Sequence, residues 1–194
     1  SVENEIIKKA GSPKKPDAWF YESGYSVQCG WEPQSFFHFL TGDVPLAIRS
    51  MYVMYAADIR PENGYKFWEH PFGVNGGASD KIFEEAAFLE RLRMTLVMEE
   101  NESLFLARFA LREWYEQGKK ISVKNAPTFF GTVAYEIVSD VDNGKINATI
   151  EMPARKAPAV VQLRFRHPKS APIKGVTVNG KKWKAFDKDK ETIE

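Results

Sequence analysis

Cysteine is nearly missing from this chain of 194 residues: Cys29 stands alone. One thiol makes no intrachain disulfide and no multi-cysteine zinc site. None of the three histidines, His38, His70 and His167, forms a recognisable nucleophile signature with it, so Cys29 reads as a buried structural residue. Excess charge is missing too. Lys and Arg number 27 against 26 Asp and Glu, a net charge of +1, which gives no reason to expect nucleic acid or a membrane surface as a partner. The lysine pairs Lys8-Lys9, Lys14-Lys15 and Lys181-Lys182 are dispersed and read as solvated surface. No apolar run approaches the roughly 20 residues of a membrane span. There is no HExxH and no acidic cluster with EF-hand spacing. Gly73-Val74-Asn75-Gly76-Gly77 lacks the Lys-Ser/Thr of a phosphate loop, so neither a metal nor a cofactor is expected. An initiator Met and a signal peptide are also lacking, and Glu191-Thr192-Ile193-Glu194 breaks off within an alternation. The chain is therefore expected to be a processed chain or a piece of a longer protein, the latter preferred.

Aromatic side chains, by contrast, are abundant, and they are unevenly spread. Of 26 Phe, Tyr and Trp residues, 20 precede residue 117, so the chain changes character near its middle. The first part reads as partly helical. Val44, Ala47, Ile48, Met51, Tyr52 and Tyr55 repeat at helical spacing, with Asp43 as N-cap and Pro45 in the first turn. A short helix over Gln34–Leu40 stops at Gly42. A third starts at Ser79 and carries Ile82, Ala86, Leu89 and Leu92. The second part reads as antiparallel strands: Met94–Met98, Ser103–Ala110, Lys120–Asn125, Thr132–Asp140, Lys145–Met152 and Val160–Arg166. Asn143-Gly144 and Asn179-Gly180 mark two hairpins. In Val160–Arg166, Val161, Leu163 and Phe165 share one face, and Gln162, Arg164 and Arg166 a wet one.

Two long loops hold the chemistry. Glu22–Pro33 contains Trp31 and Glu32; Tyr65–Ala78 contains Phe67, Trp68, Glu69 and His70. Aromatic rings stack on the apolar face of a sugar, and a carboxyl among such rings has its neutral form favoured, as a general acid requires. Glu69 and Glu32 are the candidate catalytic carboxylates; Trp68, Trp31, Phe67 and His70 are the candidate substrate-binding groups. The plain alternatives are that Trp68 and Phe67 are core, that Glu69 caps a loop, and that Glu32 sits before Pro33 to favour a helix dipole. By the same argument Asp80, Glu84 and Glu85 are first-turn acids, and His38 is a packed core residue.

The run Arg112-Glu113-Trp114-Tyr115 through Phe129-Phe130-Gly131 resembles the start of the C-terminal β-sandwich of six-hairpin, (α/α)6-barrel glycosidases. Leu163-Arg164-Phe165-Arg166-His167-Pro168 and Val176-Thr177-Val178-Asn179-Gly180-Lys181 are similar to the same domain. Gly30-Trp31-Glu32-Pro33 and Trp68-Glu69-His70-Pro71 are less specifically similar to the last helical hairpins of such a barrel. The resemblance implies an α+β chain: a partial α/α toroid over 1–93, followed by an antiparallel β-sandwich over 94–194. It implies a periplasmic or secreted bacterial protein acting on poly- or oligosaccharide by paired carboxylates, with the remainder of the helical barrel as a partner. Some 93 residues do not supply twelve helices, so the fragment alone is expected to be inactive. The alternative is a non-catalytic carbohydrate-binding or structural module. A lyase using Tyr65 and His70 is a third reading, which the near-zero net charge does not encourage.

Overall fold

Apolar–polar alternation dominates the computed structural model, which describes residues 33–60, 66–67 and 82–194. The chain divides into two compact units, Ser1–Leu92 and Arg93–Glu194. In the first, α1 (Pro33–Thr41) packs on α2 (Val44–Asp58). The corner between them is a Schellman turn: Gly42 adopts φ 74°, its N–H bonds the Phe39 carbonyl, and the Asp43 N–H bonds the His38 carbonyl at 3.1 Å. Asp43 then caps α2, its carboxylate accepting from the Leu46 N–H at 3.2 Å. Val44, Ala47 and Met51 are buried along α2, whereas Tyr52, on the same expected stripe, is exposed. Two short strands, β1 (Ile59–Arg60) and β2 (Lys66–Phe67), pair antiparallel.

The third helix, α3, covers Ile82–Leu96. Its expected apolar stripe faces water: Ile82 is 77% and Leu89 60% exposed, while Arg91, Met94 and Thr95 are buried. Met94–Leu96, expected as strand, are its last helical turn, and the first strand of the second unit begins only at Val97.

Among the described residues that second unit holds two larger sheets and a two-stranded one. One of the larger sheets has five strands: β3 (Val97–Glu100), β4 (Ser103–Leu106), β8 (Val160–Arg164), β11 (Phe186–Asp187) and β12 (Thr192–Ile193). Their order across the sheet is β11-β12-β8-β4-β3. The other larger sheet has three strands, β5 (Lys120–Thr128), β6 (Gly131–Asp140) and β7 (Lys145–Glu151), in chain order. Leu104, Leu106 and Leu163 from the first sheet share one core with Ile121, Val133, Tyr135 and Ile137 from the second. The two sheets therefore bury their apolar faces against each other. β9 (Val176–Val178) and β10 (Lys181–Trp183) form a separate hairpin, turned by Asn179 and Gly180, both at positive φ.

The expected fold class is corrected. The described chain is mostly β with three short helices, and no toroid of helical hairpins occurs among the described residues. Helical periodicity is present, but α3 passes directly into β3 instead of returning as a hairpin partner. The β part is not purely antiparallel either. β8 pairs parallel to β4, with Leu104 beside Val161 and Leu106 beside Leu163, and the connection between them runs through the whole three-stranded sheet. Strand β4 also ends early, at Leu106, since Ala107 turns the chain at φ 52°.

Candidate functional site

Five of the six expected site residues, Glu69, Glu32, Trp68, Trp31 and His70, lie outside the described residues, as do Cys29, Tyr65 and Gly73–Gly77. Phe67 is described. It sits half-buried on β2, opposite Ile59, and its ring stacks on Phe88 of α3 with centroids 5.3 Å apart. His38 is buried in α1, its ring edge-on to Phe37.

The second unit carries a cleft of about 870 Å³, within the range of small-ligand sites. It lies between β7, β8 and the β9–β10 hairpin. Ile146, Ile150, Val161 and Phe165 reach it from the margin of the core and supply an apolar floor. Since β7 is the last strand of its sheet, the cleft runs beside an edge whose outward N–H and C=O groups no other described strand pairs. Asn147, Thr149, Lys174 and Asn179 are also among its lining residues. Trp183 forms part of the wall. It is 41% exposed, and its indole N–H donates to the main-chain oxygen of Glu194 at 2.6 Å. That bond holds the ring in place while leaving part of it open. Glu194 is the one carboxylate among the described residues of this lining.

Trp183 does not stand out in the sequence, where it falls within an expected hairpin strand. A signal is present nonetheless. Lys181, Lys182 and Lys184 surround it, and a lysine-rich three-residue strand has no buried face to place a tryptophan on.

On the other side of β8 stands a group of arginines. The sequence places Arg164 and Arg166 on a wet strand face; instead each is partly buried and donates to main chain. Arg164 Nε bonds the Lys190 carbonyl and its Nη1 the Arg108 carbonyl, both at 3.0 Å. Arg166 Nη1 bonds the Ala110 carbonyl at 3.0 Å. Arg112 grips Glu191 with both Nη atoms, at 2.7 and 2.9 Å, and also bonds the His167 carbonyl. The Arg108 guanidinium lies 4.2 Å from the Phe105 ring centre and 3.7 Å from Glu100. Burial first, then Arg108 and Arg166, push Arg164 down to about 10. Burial and Arg112 likewise lower Arg166. His167 itself closes a turn, its Nδ1 accepting from the Lys169 N–H at 3.1 Å.

Among the described residues no three His, Cys, Asp or Glu side chains converge as metal ligands, and no described helix is long and apolar enough to cross a membrane. Compared with known proteins, the chain matches no family model, no curated protein and no solved structure.

Proposed function

We propose that this chain is a carbohydrate-binding module whose sugar site is the cleft beside β7. One observation carries the reading: a tryptophan with an exposed ring, fixed by its own N–H bond, at the wall of a cleft of oligosaccharide size. The indole face takes the C–H face of a pyranose. The main-chain N–H and C=O groups of the open edge of β7, with Asn179, take its hydroxyls. Hydrolysis by paired carboxylates needs two acids about 5–9.5 Å apart. The described lining offers Glu194 alone, which favours binding over cleavage at this site.

Calorimetry against a panel of neutral oligosaccharides tests the proposal. A saturable heat is expected with at least one glycan, and Trp183→Ala should weaken it tenfold or more, on the order of 1.4 kcal/mol. Absence of heat with every sugar, or equal affinity in the variant, would remove the reading. Assaying the same mixtures for released reducing ends separates binding from hydrolysis by Glu69 and Glu32.

A second reading, a structural module that docks on another protein surface, is favoured by the exposed apolar stripe of Ile82, Ala86 and Leu89 on α3.

A further inference from the structure

We propose that the outward side of β8 binds a doubly charged oxyanion, sulfate or phosphate, free or as an ester, between Arg164 and Arg166. The two residues stand two apart, so an extended chain directs them to one side, opposite the buried Leu163. The extension persists past the end of β8, where the Phe165 N–H still bonds the Glu191 carbonyl at 2.9 Å.

Both guanidiniums are anchored in a way that leaves donors available. Arg164 uses Nε and Nη1 on carbonyls, which leaves Nη2. Arg166 uses Nη1 alone, which leaves the Nε–Nη2 edge, the edge that grips an oxyanion with two parallel bonds. Their anchoring makes each a rigid donor, so little side-chain freedom is lost when an anion arrives.

Four acids, Glu100, Glu113, Asp187 and Glu191, stand near the four arginines, and Glu191 lies near Arg164 and Arg166 as well as Arg112, but the ion pairs are unevenly shared. Arg108 and Arg112 have carboxylate neighbours, Glu100 and Glu191. Arg164 and Arg166 form no ion pair among the described residues. Glu113, on the turn Arg112–Tyr115, and Asp187, at the β11 end, are the other nearby acids. Asp187 is already engaged by the N–H groups of Asp189 and Lys190, and its ordinary carboxylate affinity for protons is lowered by them. Clamping carbonyls requires only N–H donors, which a neutral amide supplies. Two further charges, each partly desolvated and each beside another guanidinium, cost stability that a clamp alone does not explain. An oxyanion on the free edges would neutralise both.

The test is the Arg side-chain Nε–H spectrum of the intact ¹⁵N-labelled chain. It is titrated with sodium sulfate, with sodium phosphate and with glucose 6-sulfate, against sodium chloride at equal ionic strength. A saturable shift of the Arg166 Nε–H is expected, and the variants are followed at the Arg164 Nε–H, where the saturable response should be lost in Arg166→Gln. In Arg166→Lys, which keeps the charge without the two-donor edge, affinity should fall about fivefold or more. Near-UV circular dichroism confirms that the variants keep the native packing. Response to the inorganic ions alone identifies a free-ion site, and response to the ester a site for a substituent on a larger ligand. No shift beyond that of chloride, or unchanged affinity in Arg166→Gln, overturns the proposal.

Discussion

Tyr115 shows how much a single buried hydroxyl does here. Its ring is fully buried, and its O–H donates to the Arg164 carbonyl at 2.7 Å, joining the turn Arg112–Tyr115 to β8. Tyr115→Phe removes that bond and leaves a buried carbonyl short of a donor, so urea unfolding should show a loss of about 1–2 kcal/mol. Tyr135 is held similarly, its hydroxyl bonded to the Leu96 carbonyl at 2.9 Å. Burial raises both phenols well above the ordinary range, with Tyr135 adding to the effect on Tyr115. The neutral form is favoured by the fold. The stability this contributes is fully present below the ordinary phenol value near 10 and is lost as pH rises through the folded value. Absorbance at 295 nm should therefore show two of the seven tyrosines ionising only together with unfolding, and one in Tyr135→Phe. All seven ionising near pH 10 in a still-folded chain would contradict this. Nothing near Tyr115 in the sequence announces the bond, because its acceptor lies 49 residues away.

At the scale of elements, local chemistry is legible in the sequence and long-range pairing is not. Asp43 caps α2, Asn179-Gly180 turns β9 into β10, and alternation marks β6, where Val133, Tyr135 and Ile137 are buried. The register of β4 against β8 is not readable, since periodicity says which face of a strand is buried and not which strand lies beside it. The β5–β6 hairpin illustrates a constraint visible only in three dimensions. Gly131 adopts φ +116°, and an added Cβ would lie 3.0 Å from the Arg155 nitrogen. Gly131→Ala should cost about 1–3 kcal/mol and lower the melting temperature, with Gly175→Ala, where the space is open, as the neutral comparison. Helix α3 carries the reverse lesson. Its apolar spacing predicts a core face, yet Ile82 and Leu89 are exposed. If that face docks on a second copy of the chain, the isolated chain should self-associate, and the double change Ile82→Glu, Leu89→Glu should give a monomer in analytical ultracentrifugation. A wild-type chain that is already monomeric at high concentration would count against self-docking through this face.

At the scale of the whole chain, the aromatic-rich first part and the alternating second part are legible, because they differ in composition. The expected toroid is not. Helical spacing identifies helices, but closure into hairpins depends on the segments between them, and α3 leads into a strand. The Trp-Glu loops draw attention because rings and acids lie side by side in sequence. The cleft beside β7 gathers Asn147, Thr149, Lys174, Asn179 and Trp183 from separate elements, and no local motif joins them. Sugar binding in this cleft through Trp183 is best checked in the ¹⁵N-indole spectrum of the chain, titrated with the tightest-binding oligosaccharide of the panel. The Trp183 Nε1–H should shift saturably, with the four other tryptophans of the five unmoved. A binding curve in which Trp183 stays still while another indole shifts would place the sugar elsewhere and contradict the proposed site.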